Sequence, residues 1–331
     1  MFLAGVLVRV VGFIIGFHVS NYDTQSWMLV GDATRQGISA YPDIAALHQP
    51  YIPFFIYLTT LPVMWIKIVL LVVDMCNVYL VYLLSKRSIP TSFLYAINPI
   101  TIMITAIHGQ FDVLPVFFLL WALYLLQNYH QWRSLLVYSL AIASKTWPIF
   151  FALSFMRRIR PWYGIVLVAL VPVLCIAIYG IIFEVSWMSM ITVIKNYRGV
   201  FGTWGIGQLV YMGWGISSPH NTRWLRILFF LALGVVALIV RRENLLDEIL
   251  VLLLFFYAAT FAFATQYLAW LVPFLLLRKP WGWSFWFFGA SIYLVFVYAG
   301  ATAISTPMGT ALWMLTVIMA IRTITGYEKR I

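Results

Sequence analysis

The chain has 331 residues, of which 63% are hydrophobic and 9% are charged, and its mean hydropathy is +0.95. This composition excludes a water-soluble globular protein and predicts a membrane protein with many spans. The formal net charge of +11 comes from short basic clusters between apolar segments, as in cytoplasmic loops, so the expected partner is a lipid bilayer and no nucleic acid is expected.

Apolar runs follow one another along the whole chain. They cover residues 2–17, 52–65, 66–85, 90–107, 113–127, 134–157, 163–183, 224–240, 246–265, 267–277, 284–300 and 308–321. The first run has no small-residue cleavage site before the polar residues that follow it, so it predicts a retained span.

Basic clusters between these runs determine the predicted topology. They are Lys86/Arg87, Arg157/Arg158/Arg160, Arg241/Arg242, Arg278/Lys279 and Lys329/Arg330. All of them are cytoplasmic if residues 52–65 do not cross the membrane and residues 134–157, broken at Pro148, cross it twice. The sequence therefore predicts an all-α, polytopic membrane protein with roughly 10–12 transmembrane helices, in which residues 1–331 form a single integral domain.

This topology places three polar stretches on the extracytoplasmic side, and the first of them, residues 20–50, contains Asp23 and Asp32. Asp23 directly precedes a helix-like stretch, so it can be a helix N-cap. It can equally be a general base at the outer membrane surface. Both roles stay open for Asp23, and Asp32 is expected to line the same cavity.

The second polar stretch places His108, Gln110 and Asp112 together in "ITAIHGQFDVLP", between two apolar runs. Hydrogen-bonding side chains at the boundary of a span are costly unless they are satisfied, and ionisable residues in a membrane are functional by default. We therefore predict that these three residues bind substrate. Asp112 can also cap the next span, which has Pro115 near its first turn.

Lys145 lies in "AIASKTWPIFF", where Thr146, Trp147 and Pro148 break the helix. The predicted topology directs its ammonium toward the compartment of Asp23 and Asp112, where an anionic phosphate would suit it. A lysine that snorkels to the membrane interface is the alternative.

Three further residues are predicted to contact substrate in the same cavity. Arg198 belongs to the third polar stretch, residues 184–223, which mixes cations, aromatic residues and glycines. Gln266 and Tyr267 lie at the outer end of a proline-containing span, and a helix–helix hydrogen bond is the alternative for Gln266. Asp74, inside residues 66–85, is expected to pair with a neighbouring polar group and is not included in the site.

Several sequence motifs of soluble enzymes are absent from the sequence. There is no glycine-rich phosphate loop, no HExxH zinc motif, no Cys/His metal-ligand spacing and no nucleophile elbow. The chemistry of soluble enzymes is therefore not predicted.

With these elements in this order, the chain resembles the GT-C superfamily of polytopic glycosyltransferases over most of its length. The pattern is closest to the catalytic-subunit family of GPI mannosyltransferase I: an acid after the first span, then Asp32/Ala33 and a Gly-x-Ser-x-Tyr turn at Gly37–Tyr41. "INPITIMIT", "SKTWPIFFAL" and "TQYLAWLVPF" are similar to segments of that family in the same order. "HGQFD" is also similar to the His-x-Gln-aromatic stretch of dolichyl-phosphate-glucose-dependent transferases.

The resemblance implies an inverting hexosyltransferase, with mannose favoured and glucose possible, which uses a polyprenyl-phosphate sugar on the extracytoplasmic face of the cell membrane. It implies that Asp23 is the catalytic base and that His108, Gln110, Asp112 and Lys145 lie near the donor. The acceptor would be a glycolipid, a glycan or a protein.

This chain departs from the family at the Asp-x-Asp, which reads Asp23-Thr24-Gln25 here. The sequence therefore predicts no metal-ligand residues and no definite cofactor. Whether the protein uses a divalent metal stays an open question. The alternatives to a transferase are a lipid-linked-sugar flippase or other transporter, and a non-catalytic subunit of a glycan-assembly complex.

Overall fold

A computed structural model describes residues 1–17, 19, 21–44, 53–159, 161–196, 204–214 and 223–326. This part of the chain is all-helical and contains no β-strand, so the prediction of an all-α fold is confirmed. Contacts divide the chain into two compact units, Met1–Tyr197 and Arg198–Ile331. The single integral domain expected over residues 1–331 stays a prediction.

The first unit is a set of helices of very different lengths. Its described helices are α1 (Phe2–Gly16), α2 (Tyr22–Arg35), α3 (Pro53–Thr59), α4 (Val63–Leu84), α5 (Ile89–Ile107), α6 (Val113–Gln127), α7 (Gln131–Ser144), α8 (Trp147–Met156), α9 (Pro161–Ile182) and α10 (Trp187–Asn196). α6 packs between α4 and α7, and α9 packs on α7.

The second unit is also a set of helices of different lengths. Its described helices are α11 (Gly205–Trp214), α12 (Arg223–Ile239), α13 (Leu245–Ala259), α14 (Leu268–Arg278), α15 (Trp283–Tyr298) and α16 (Thr302–Thr325). α16 packs on α13 and α15, and the buried indole of Trp286 donates to the Thr316 hydroxyl at 3.0 Å across the α15–α16 contact.

Four helices of the described residues are long and apolar enough to cross a membrane. They are α4, α5, residues Gly164–Ile182 of α9, and α16. Apolar helices of 10–17 residues accompany them, among them α1 and α6. These helices support the prediction of a membrane protein, whereas the expected 10–12 crossings stay a prediction.

α1 packs on α5 through a face made mostly of glycine. Its buried residues are Gly5, Arg9, Gly12 and Gly16. A Cβ at Gly12 would lie 2.9 Å from the Ala106 Cβ, and a Cβ at Gly16 would lie 2.3 Å from the Ile107 carbonyl oxygen. Small residues let the backbones of two membrane helices approach closely. The end of α1 is therefore held against the end of α5.

Arg9 forms a buried ion pair with Asp74, which confirms the expected polar partner of Asp74. Arg9 Nε donates to Asp74 Oδ2 at 2.8 Å, and the Tyr95 hydroxyl donates to Asp74 Oδ1 at 2.9 Å. The exposed fractions of Arg9 and Asp74 are 1% and 0%. Because a buried charge needs a partner, this network joins α1, α4 and α5 in one arrangement.

The helix break expected within residues 134–157 is present. α7 ends at Ser144, and Lys145 has an extended backbone with φ −162° and ψ 145°. Pro148 lies in the first turn of α8, where a helix does not require its missing N–H. The break sets Lys145 at the junction of α7 and α8.

Candidate functional site

The site begins at the N-terminus of α2, where Asn21 is the N-cap. Its side chain accepts from the Thr24 backbone N–H at 2.9 Å, and the Thr24 hydroxyl accepts from the Asn21 N–H at 3.1 Å. This reciprocal pair is a capping box, and Asp23 lies inside the first helical turn. The alternative that Asp23 is the N-cap is therefore wrong.

Asn21 also connects α2 to the end of α5. Its side-chain amide donates to the His108 carbonyl oxygen at 2.8 Å. The last six residues of α5, Ile102–Ile107, form a π-helical turn, in which the His108 N–H donates to the Met103 carbonyl at 2.9 Å. Such wide turns often occur at functional sites. The loop that follows them therefore starts beside the first turn of α2.

Gly109 lets this loop reverse direction sharply. Its φ of +79° is in the left-handed region that favours glycine. A Cβ at this position would also lie 2.8 Å from Cε of Lys67, so the lysine side chain passes directly against the loop. The Gln110 N–H then donates to the Ile104 carbonyl at 2.9 Å, which turns the Gln110 side chain back toward α2.

The side-chain amide of Gln110 joins Asp23 to His108. Its nitrogen, Nε2, donates to Asp23 Oδ2 and lies 2.9 Å from His108 Nδ1. An amide NH2 group carries two hydrogens and no acceptor, so one hydrogen bonds the carboxylate and the other bonds the ring nitrogen. Gln110 is 1% exposed, whereas Asp23 and His108 are partly exposed. We call Asn21, Asp23, His108 and Gln110 the Asp23 cluster.

His108 is electrically neutral in this arrangement, because its Nδ1 accepts a hydrogen bond. Burial lowers the pKa of His108, the Asp23 carboxylate opposes this effect, and the nearby Lys67 ammonium adds to it. The proton of the neutral ring then resides on Nε2.

Asp112 and Lys145 form an ion pair two residues further along the loop. Lys145 Nζ lies 2.7 Å from Asp112 Oδ1, with 19% of the lysine side chain and 0% of the aspartate side chain exposed. The Lys145 ammonium also lies 4.6 Å from the centre of the Phe111 ring, which stacks on Phe55. Asp112 is the N-cap residue of α6, as the alternative expected, but its side chain makes no capping hydrogen bond to that helix.

The turn expected at Gly37–Tyr41 packs against α9. Gly37 has φ +73°, the Ala40 N–H donates to the Tyr179 hydroxyl at 2.9 Å, and the Tyr41 ring meets the Tyr179 ring edge to face. Burial raises the pKa of Tyr41, so its phenol stays protonated. The segment after α2 is thereby fixed to the first unit.

The structure does not bring every predicted residue into this site. Asp32 lies nine positions after Asp23, about 14 Å along α2, and it forms an exposed ion pair with Arg35. It therefore does not line a cavity with Asp23, which corrects that expectation. Arg198 lies outside the described residues.

Gln266 and Tyr267 belong to the second unit, in a short 3-10 turn, Thr265–Tyr267. Tyr267 is 7% exposed, and its ring stacks on Trp270. The backbone carbonyl of Tyr267 accepts a hydrogen bond from the Tyr257 hydroxyl. The Tyr267 ring is therefore a packing element of its own unit. The role of both residues in substrate binding stays a prediction.

Two residues of the site were missed by the sequence analysis. Asn21 stands three positions before Thr24, and this spacing of a capping residue and a hydroxyl is a recognisable helix start. Lys67 lies within an apolar run, where an ionisable residue is itself a signal of function. Both signals were readable in the sequence.

Within the residues that the structure describes, no three His, Cys, Asp or Glu side chains are grouped so that they could hold a metal ion. Thr24 and Gln25 follow Asp23 directly, and neither supplies a second carboxylate.

In comparisons with known proteins, no protein-family model, no curated protein and no solved structure matches this chain.

Proposed function

We propose that this chain is an inverting glycosyltransferase of the GT-C type, a polytopic protein of the cell membrane with its active site on the extracytoplasmic side. It transfers a hexose, mannose in preference to glucose, from a polyprenyl-phosphate donor to a glycolipid, a glycan or a protein. The transfer uses Asp23 as its general base.

The observation that carries this proposal is the way in which Asp23 is held. One carboxylate oxygen, Oδ2, accepts from the buried Gln110 amide, whose other hydrogen faces a neutral histidine ring. Among the described residues, no side chain donates to the other oxygen, Oδ1. A carboxylate that is oriented on one oxygen and open on the other suits a general base, because the open oxygen can accept a proton from substrate.

The proposed reaction has one chemical step. Asp23 Oδ1 takes the proton of an acceptor hydroxyl as that oxygen attacks the anomeric carbon of the donor sugar. The bond between the anomeric carbon and the phosphate oxygen breaks, and polyprenyl phosphate leaves from the opposite face with the bonding electron pair. The new glycosidic bond has inverted configuration, and no covalent intermediate with the protein is formed.

Neutral His108 and Asp112 lie in the same loop, and Lys145 contacts this loop through its ion pair with Asp112. His108 Nε2–H donates to the sugar or to the leaving phosphate, and Lys145, which is partly exposed, adds positive charge on that side. Asp112 is fully buried and orients Lys145 through their ion pair. In this proposal Asp112 is a positioning residue for Lys145.

A transfer assay with the purified chain in detergent tests this proposal. A panel of polyprenyl-phosphate hexoses is offered with and without candidate acceptors, and the released polyprenyl phosphate is measured together with the anomeric configuration of the product. Acceptor-dependent release with inversion supports the transferase. In proteoliposomes, movement of the donor across the bilayer without release would favour a flippase, and neither activity would favour a non-catalytic subunit.

A further inference from the structure

Lys67 is a buried lysine next to the Asp23 cluster. It lies in the first turns of α4, is 3% exposed, and its ammonium donates to the Gly16 carbonyl oxygen at 2.9 Å. Its methylene chain runs against Gly109, between His108 and Gln110. The ammonium therefore lies on the side of the loop formed by the end of α1 and the start of α4.

Lys67 lines a cavity of about 200 Å³ between α1, α2 and α4. Thr24 supplies the other polar side chain of this wall, and the remaining lining is apolar, including Phe13, Phe17 and Met28. A water molecule takes about 30 Å³ in the liquid, so this space holds a group of several heavy atoms. The cavity thus combines a cation with an apolar wall.

Lys67 differs from Arg9 and Lys145, two other cations of the first unit, in its partners. Arg9 is paired with Asp74, and Lys145 is paired with Asp112. Among the described residues, Lys67 meets a backbone carbonyl and no carboxylate. An ammonium has three N–H donors, and a buried charge without an opposite charge is costly. An anion in the cavity would compensate this charge.

We propose that Lys67 binds the phosphate of a lipid phosphate in the cavity between α1, α2 and α4. Lys145, for which the sequence predicts this contact, already has a carboxylate at 2.7 Å, so it offers the phosphate less net positive charge than Lys67 does. The apolar wall of the cavity suits the first carbons of a lipid chain next to the phosphate. The identity of the lipid as an isoprenoid carrier rests on the proposed function, whereas phosphate binding can be measured without any transfer.

Ligand-dependent thermal stabilisation of the full chain in detergent tests this inference. Farnesyl phosphate, farnesol and inorganic phosphate are titrated separately against wild type, Lys67→Met and Lys67→Arg. The matched control is Lys86→Met, which removes an exposed lysine just beyond the other end of α4. We expect farnesyl phosphate to bind wild type and Lys86→Met alike, and Lys67→Met at least about tenfold more weakly, because a charge-assisted hydrogen bond is lost. Lys67→Arg should retain more of the affinity than Lys67→Met.

The outcomes separate the sources of the phosphate and the two proposals. Equal binding of farnesyl phosphate by wild type and Lys67→Met would overturn the inference. Inorganic phosphate that binds as tightly as farnesyl phosphate would overturn the lipid source. If farnesyl phosphate binds in a Lys67-dependent way and no acceptor is ever glycosylated, the proposed phosphate site at Lys67 is supported and the proposed transferase activity is contradicted.

A labelling experiment on wild type covers the case in which Lys67→Met does not fold. A farnesyl phosphate that carries a diazirine on its first isoprene unit is photolysed with the protein, and the labelled peptides are identified by mass spectrometry. Labels on α1, α2 and the start of α4 are expected. Labels confined to α7 and α8, around Lys145, would overturn the assignment to Lys67.

Discussion

Gln110 donates its side-chain amide to the carboxylate of Asp23, which lies 87 positions earlier in the chain. The same nitrogen lies 2.9 Å from His108 Nδ1. The Asp23 carboxylate on α2 and the His108 imidazole in the loop after α5 are thereby held by the two hydrogens of one amide. Gln110 is the residue on which the geometry of the Asp23 cluster depends most directly.

Gln110→Ala should lower kcat about tenfold to a hundredfold with little change in KM, because a hydrogen bond to a charged group contributes about 1.5–3 kcal/mol. Gln110→Glu should lower it further, since a second carboxylate would face Asp23. Steady-state transfer kinetics measure both effects. Gln131→Ala removes an exposed glutamine at the start of α7 and should leave kcat unchanged. Wild-type kcat in Gln110→Ala would contradict the positioning role.

Acid should destabilise the protein through His108. Burial lowers the pKa of His108 below the value of about 6.5 that it has in the unfolded chain. Between these two pKa values the unfolded state binds more protons, so the free energy of unfolding falls as the pH drops below about 6.5. Unfolding midpoints in detergent at pH 5 to 8 measure this effect.

His108→Gln should lose the part of this pH dependence that comes from the imidazole. His130→Gln, which replaces an exposed histidine before α7, is the matched control and should keep the wild-type profile. A profile of His108→Gln that superimposes on wild type would show that His108 is not the responsible group. Asp23 and Lys67 face His108, so their substitution would shift the profile instead of removing it.

Gly16→Ala should impair both folding stability and transfer. Its new methyl group would lie 2.3 Å from the Ile107 carbonyl oxygen and 2.6 Å from the Ile107 Cα, so α1 must move away from the end of α5. Overpacking of this kind costs about 1–3 kcal/mol, and the shift separates α2 from His108. Gly234→Ala, at a helical glycine with open space around it, should be neutral or stabilising. Full activity in Gly16→Ala would contradict the close contact.

Arg9→Met should destabilise the first unit by about 3–5 kcal/mol, because it leaves the Asp74 carboxylate buried without its cation. The double variant Arg9→Met/Asp74→Leu should recover a large part of this loss, since both charges are then absent. Unfolding free energies of the two single variants and the double variant give the coupling. Additive effects would show that the ion pair does not link α1 to α4.

The all-α fold could be predicted from the sequence because its apolar runs lack strand periodicity. In a membrane, a helix satisfies the backbone N–H and C=O groups of such a run within the run itself. The sequence predicted that Asp74 has a polar partner, because a charge inside an apolar helix needs such a partner. That the partner is Arg9 was not predictable. The contact depends on which face α1 presents to α4, and a glycine-lined face gives no hydrophobic periodicity to read.

The sequence predicted that Asp23 and the His108–Asp112 loop share one cavity, and the structure brings Asp23 into contact with Gln110 of that loop. The pairing inside the site did not follow, because Asp112 turned out to bind Lys145 and Gln110 to bind Asp23. Side chains at neighbouring positions of a loop point in different directions once a π-helical turn and a glycine with positive φ fix the backbone. Neither feature has a firm sequence signature.

The measurement that tests the central claim most directly is the rate of hexose transfer by Asp23→Asn beside Asp32→Asn. Both variants remove one carboxylate from α2, but only Asp23 is bound by Gln110, and Asp32 is exposed beside Arg35. We expect Asp23→Asn to lower kcat roughly a hundredfold or more, as loss of a general base does, and Asp32→Asn to keep the wild-type rate. Transfer by Asp23→Asn at the wild-type rate would contradict the account.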